Sequence, residues 1–211
     1  RLRYVVLDEL HAYRGVFGTH VALILRRLLR LARHYGASPQ VLAASATIAN
    51  AREHAEALTG LPFEELKAQV ARTERELLVL LPKPLDRRGE RRRSPLLEAA
   101  YLARRLAEAG LKGLVFAGAR KSAELIARYA AHPLVRPYRA GYTARERRRL
   151  EADLKEGRVR VLVSTSALEL GVDIGELDAG VLVGYPGATA AFGQRAGRAG
   201  RGERRALLVY I

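Results

Sequence analysis

The chain has 211 residues, of which 49% are hydrophobic and 28% charged. That composition excludes a disordered or fibrous chain and leaves room for one large domain or two small ones. It contains no Cys, which excludes disulfides, a Cys-bound zinc and a thiol nucleophile. The net charge is +15, with +4 in residues 1–60 and +11 in residues 61–211. Such a surplus fits a polyanionic partner, most simply nucleic acid, or else an Arg-rich surface of thermophile type.

No apolar run approaches the roughly 18 residues of a membrane span, and no signal peptide opens the chain, so a soluble, cytoplasmic protein with no membrane partner is expected. The chain has no Met and begins Arg1-Leu2-Arg3 inside a strand-like run. It is therefore expected to be part of something longer.

Short apolar runs of β type alternate with amphipathic helices, the pattern of βαβ units on a parallel sheet. Tyr4-Val5-Val6-Leu7 reads as a buried strand ending in Asp8-Glu9. Gly18 to Tyr35 reads as a helix with Val21, Leu25, Leu28, Leu29 and Ala32 on one face. A strand at Val41–Ala44 ends in Ser45-Ala46-Thr47, a short helix follows at Ala51–Leu58, and Leu77–Leu81 makes a third strand. Pro82 through Pro95, with three prolines, a Gly and the run Arg91-Arg92-Arg93, reads as a linker. The alternation then restarts with helix Leu96–Ala109, strand Leu114–Phe116, helix Lys121–Ala131, strand Leu134–Tyr138 and helix Ala144–Lys155. Strands Val159–Val163 and Gly180–Val183, a helix near Phe192–Gly197 and strand Ala206–Tyr210 complete it. Residues 1–81 thus look like half of an α/β domain and residues 96–211 like a whole one, joined by 82–95.

In an open parallel sheet, ligands bind beyond the carboxyl ends of the strands. Asp8-Glu9-Leu10-His11 stands at such an end, where one carboxylate can hold Mg2+ against nucleotide phosphates and a second can orient the attacking water. Alone, the same residues serve equally as turn and cap residues, and Ser45-Ala46-Thr47 as an ordinary helix N-cap. Val161-Leu162-Val163-Ser164-Thr165 ends in hydroxyls that can grip a phosphate chain, with Gly171-Val172-Asp173-Ile174 close behind. The run Gln194-Arg195-Ala196-Gly197-Arg198-Ala199-Gly200-Arg201 carries the strongest signal. Arg198 and Arg201, three apart, would project to one side of a helical turn, and planar, permanently charged guanidinium groups suit phosphoryl oxygens.

The order of these pieces resembles that of the superfamily 2 helicases, whose two RecA-like domains close on ATP while gripping single-stranded nucleic acid. The resemblance covers essentially the whole chain. It implies RecA-like parallel sheets flanked by helices, with the carboxyl-terminal part of a first RecA-like domain in residues 1–81 and a second in 96–211. By it, Asp8 holds Mg2+ with ATP, Glu9 is the catalytic base, and His11 completes the motif; Ser45 and Thr47 couple the domains. Leu114-Val115-Phe116 with Arg120 resembles motif IV. Thr165, with Ser164 beside it, touches the nucleic-acid backbone, while Gly171 and Asp173 lie near the nucleotide. Gln194 senses the γ-phosphate, and Arg198 and Arg201 are the arginine fingers. Tyr13-Arg14-Gly15-Val16-Phe17-Gly18-Thr19-His20-Val21, Tyr138-Arg139-Ala140-Gly141-Tyr142 and Glu169 to Ile174 resemble bacterial DEAH-like DNA repair helicases with a carboxyl-terminal metal-binding extension. That subgroup implies DNA over RNA and adds Arg139 to the nucleic-acid contacts.

Three departures stand out. Leu10 replaces the usual Ala of the motif, Ala119 stands where a hydroxyl residue is common, and no G-x-x-x-x-G-K-[ST] is present. Without that phosphate cradle, the chain by itself is expected not to hydrolyse ATP. Two other readings stay open: a non-catalytic nucleic-acid-binding or docking module, and a dimer paired through exposed sheet edges.

Overall fold

The computed structural model describes residues 2–45, 48–67, 74–168, 172, 174–200 and 205–211, apart from the side chain at position 190. The chain divides into two units, Arg1–Val70 and Ala71–Ile211. Among the described residues no helix is long and apolar enough to cross a membrane.

In the first unit, β1 (Tyr4–Leu7) and β2 (Gln40–Ala43) run parallel, Tyr4 opposite Gln40 and Leu7 opposite Ala43. Their crossover is α1 (Gly15–His34), and α2 (Ala51–Thr59) follows β2. Leu25, Leu29 and Ala32 turn one stripe of α1 inward, and Leu7, Leu10, Leu25, Ala55 and Leu58 make the unit's small core. Gly18 is required where α1 begins, because a Cβ there would lie 2.3 Å from the Tyr13 carbonyl oxygen. The helix starts at Gly15, one turn earlier than its apolar periodicity predicts, with Gly18 in its first turn.

The second unit is a six-stranded, all-parallel sheet in the order β3-β8-β7-β4-β6-β5. Its strands are β3 (Arg75–Val79), β4 (Gly113–Phe116), β5 (Val135–Tyr138), β6 (Val161–Ser164), β7 (Ala179–Leu182) and β8 (Ala206–Tyr210). The helices are α3 (Pro95–Glu108), α4 (Arg120–Ala130), α5 (Ala144–Lys155) and α6 (Thr189–Ala196). β4, β6 and β7 are buried at every residue, as strands covered on both faces must be. One face packs Val115, Val163 and Val181 under α3 and α4, and the other packs Phe116, Leu162 and Leu182 with Leu154 of α5. The chain leaves β4 for β5 and β6 on one side, then crosses to β7 and β8 on the other, so β4 sits where the strand order reverses. In this fold class, ligands bind at that place.

Two expected boundaries move. The third strand was expected to belong to the first domain, but β3 pairs with β8, Leu77 opposite Leu208, and the division between units falls at residue 70. An apolar run marks a strand without naming its partner. The expected linker 82–95 also lies inside the second unit and is tied to itself. Pro84 bridges Arg92, Leu85 N–H donates to the Arg91 carbonyl (2.7 Å), and the Asp86 carboxylate accepts from the N–H groups of Glu90 and Arg91.

Candidate nucleotide and nucleic-acid sites

At the carboxyl end of β1 the chain turns sharply. Glu9 takes a left-handed backbone, φ 51° and ψ 47°, a strained conformation for a residue with a Cβ, costing of order 1–3 kcal/mol and met mostly at functional sites. Hydrogen bonds on either side hold it. Ala12 N–H donates to the Glu9 carbonyl (2.8 Å), and Leu10 N–H to the Ala44 carbonyl beyond β2 (2.9 Å). Glu9 N–H donates to Asp8 Oδ1 (2.8 Å), which fixes an exposed carboxylate at the strand end. His11 is buried, and its Nδ1 lies 3.5 Å from Glu9 Oε2 and 3.4 Å from Ser45 Oγ. The end of β1 and the end of β2 are thereby joined through one imidazole. Protonated at Nδ1, the ring donates toward Glu9; unprotonated there, it accepts from Ser45. Thr47, expected beside Ser45, lies outside the described residues.

Two vicinal carboxylates, one solvent-facing, fit a divalent cation whose remaining ligands are phosphate oxygens and water. Among the described residues no group of three or more His, Asp or Glu is gathered to hold a metal alone, so such a cation needs oxygens from its phosphate.

In the second unit the expected residues follow the carboxyl ends of successive strands. Arg120 is exposed at the first position of α4, after β4. Thr165 is half-buried directly after β6. Ser164 is different: it is the last residue of β6, wholly buried between Phe116 and Tyr138, and its Oγ has no hydrogen-bond partner. The expected contact of Ser164 with nucleic acid is therefore corrected, because strand alternation turns its side chain into the core. Arg139 is already engaged. Its guanidinium pairs with the Glu124 carboxylate and lies 4.6 Å from the Tyr142 ring centroid. Tyr142 first, and Glu124 second, hold it above the ordinary guanidinium value.

Around Gln194–Arg201 the helix ends within a residue of the expected Gly197. α6 ends at Ala196, with Gly197 as its C-cap, so Arg198 stands on the following turn and not on the helix. It is buried, and its Nη1 donates to the Val172 carbonyl (2.8 Å). Small residues let this turn lie against the sheet: a Cβ at Gly200 would come within 2.9 Å of Ala206 Cβ, and Gly200 N–H donates to the Leu177 carbonyl. Gln194 is half-buried on α6. Gly171, Asp173 and Arg201 lie outside the described residues. Arg195, to which the sequence assigned no role, is buried with its guanidinium 5.6 Å from the Phe116 ring centroid. Nothing in the spacing of residues 116 and 195 signals that pairing.

Residues 96–203 match the family described as the helicase conserved C-terminal domain. Over its whole length the chain is 42% identical to an uncharacterized ATP-dependent helicase, YprA, of Bacillus subtilis, and it covers 29% of that protein. It is similar to the DUF1998 helicase MrfA in a crystal structure with DNA and AMPPNP, with TM-score 0.89 and 41% identity, covering 99% of this chain and 30% of that one. It is also similar to the Mycobacterium smegmatis helicase Lhr bound to ssDNA and AMP-PNP, with TM-score 0.81 and 32% identity, covering 99% of this chain and 28% of that one. The chain thus spans under a third of the length of these relatives.

Proposed function

The chain belongs to the superfamily 2 helicases, carrying their conserved C-terminal domain, and from that premise we propose that it serves an ATP-driven motor on single-stranded DNA in the cytoplasm. The observation that carries this reading is the strained Glu9 beside Asp8, tied through His11 to Ser45. Strain maintained by neighbouring bonds belongs to a working site more than to an ordinary turn.

In this reading Asp8 would hold Mg2+, which would screen the charge of the nucleotide phosphates, and Glu9 would orient the attacking water and take its proton. Bound ATP supplies the free energy of hydrolysis. Gln194 and the guanidinium groups of Arg198 and Arg201 would serve the phosphoryl oxygens, where fixed cations stabilise the charge that develops in transfer. Arg198, whose Nη1 donates to the Val172 carbonyl here, would supply its guanidinium to the phosphate. Gly171 and Asp173 contact the rest of the nucleotide. His11, with Ser45 and Thr47, passes the state of the carboxylate site to the end of β2. Thr165, Arg120 and Arg139 hold the nucleic-acid backbone, which positions the strand without reading sequence.

The phosphate cradle is expected upstream of these residues, and a binding or docking module without an engine is the second reading. The coding sequence upstream of Arg1 separates the two: an in-frame G-x-x-x-x-G-K-[ST] sustains the motor, and its absence leaves the module. The 211-residue chain itself, assayed with MgATP and single-stranded DNA, is expected to bind DNA with salt-dependent affinity and to show no stimulated turnover. Robust DNA-stimulated hydrolysis by this chain alone would overturn the assignment of the cradle to residues outside it.

A further inference from the structure

The outer flank of the second sheet holds a cleft of about 460 Å3 between β5 and α5, a size suited to a small molecule or a nucleotide unit. Arg136, Arg149 and Arg158 line it together with Pro137, Tyr142 and Leu150. We propose that this cleft continues the nucleic-acid path, taking single-stranded DNA by stacking a base on Tyr142 and binding phosphates with Arg136 and Arg149. The proposal rests on the nucleic-acid reading given above and extends it to a surface that reading does not use.

Three observations converge on it. The first is position. β4, β6 and β5 are consecutive neighbours in the sheet, and Arg120, Thr165 and the Arg139–Tyr142 turn follow their carboxyl ends in that same order. A strand tracking across these turns reaches β5 last and leaves the sheet there, at the mouth of the cleft.

The second is charge. The two carboxylates on the cleft wall are already committed. Glu146 Oε2 accepts from the Thr143 N–H (2.7 Å) and hydroxyl (2.8 Å), and these bonds hold its carboxyl below the usual range. Asp153 accepts from Arg158 Nε (2.7 Å) and has Arg149 Nε at 3.9 Å. Among the described residues Arg136 has no carboxylate within 4.0 Å, and it is exposed, as are Arg145 and Arg148 further along α5. Guanidinium groups so placed suit phosphates.

The third is the ring. Tyr142 lines the cleft while Arg139, which does not, covers the ring. An aromatic ring backed on one face by a guanidinium can stack an unpaired base on the other. A docked β-strand is disfavoured as occupant, because Pro137 in the middle of β5 offers no N–H to a pairing chain.

The test uses the 211-residue chain and fluorescein-labelled oligothymidylates of increasing length, with anisotropy read over a range of salt. The pair Arg136→Ala and Arg149→Ala should flatten the slope of log K against log salt by about 1.4, two contacts at about 0.7 each, only for oligomers long enough to pass β5. Tyr142→Leu should weaken binding of those oligomers by roughly 5- to 100-fold. Arg104→Gln with Arg105→Gln on α3, which removes the same charge from the opposite face of the sheet, should leave the slope unchanged. Equal flattening by the α3 pair would reduce the effect to overall charge and overturn the proposal. So would normal binding by both cleft variants while the unaltered chain binds. A slope that flattens when Arg136 and Arg149 are replaced, with Tyr142→Leu neutral and mononucleotides binding as well as oligomers, would make the cleft a simple anion site and also overturn it. Failure of the unaltered chain to bind DNA at all would instead remove the nucleic-acid reading on which it stands.

Discussion

At the scale of single residues, burial decides what a side chain can do. Ser164 and Thr165 are adjacent hydroxyls after an apolar run, alike in sequence, yet one is wholly buried and the other half-exposed. Tyr138 shows the same effect on a titrating group. It is 2% exposed, and its hydroxyl donates to Glu151 Oε1 (2.7 Å). Burial first, and that bond second, push its pKa up to about 12, against about 10 for a tyrosine in an unfolded chain. A raised phenol pKa means that the fold favours the neutral form. That stabilisation is fully present below pH about 10 and is lost as pH rises toward about 12. Ultraviolet titration should therefore show a late tyrosinate step near pH 12 that is missing in Tyr138→Phe. A Tyr138→Phe titration that retains the step would disprove the assignment.

At the scale of elements, helix bounds were legible where the chemistry that sets them is local. α5 runs Ala144–Lys155, as its sequence predicts, because Thr143 and Glu146 close a capping box. Glu146 N–H donates to Thr143 Oγ1 (3.2 Å), and Thr143 N–H donates to Glu146 Oε2 (2.7 Å). Thr143→Ala should destabilise the second unit by about 1 kcal/mol, measurable as a lower urea midpoint with faster amide exchange in the first turn of α5. An unchanged midpoint would show that tertiary packing alone fixes that end. Elements set by distant partners were less legible. The turn after α6, which carries Arg198, is set by β7 and β8, against which its small residues pack. β3 joined the second sheet because β8 offers a matching edge of Leu207, Leu208 and Val209. Neither partner is encoded near its element.

At the scale of the molecule, the two units are built on different amounts of core. Among the described residues the first has one cluster of five buried apolar residues, with Leu29 and Ala32 also buried, around two strands, and an isolated pair of strands is marginal in water. Tyr4, Val6, Ile24 and Leu42 remain exposed on it. The second carries a packed cluster on each face of a six-stranded sheet. Amide exchange under mild urea should therefore open β1, β2 and α1 at markedly lower free energy than β4, β6 and β7. A single shared opening for both sets would contradict this division. The sequence by itself determined the alternation of strands and helices, the parallel α/β class, and the family. Those follow from apolar periodicity and from motifs whose order along the chain is itself the signal. Only the tertiary structure decided that β3 belongs with β8, that Ser164 points inward, that Arg198 is bound to the Val172 carbonyl, and that Arg195 lies over Phe116. Each of these is a contact between residues far apart in the chain, or a choice of which face of a strand is covered, and hydrophobic pattern is blind to both.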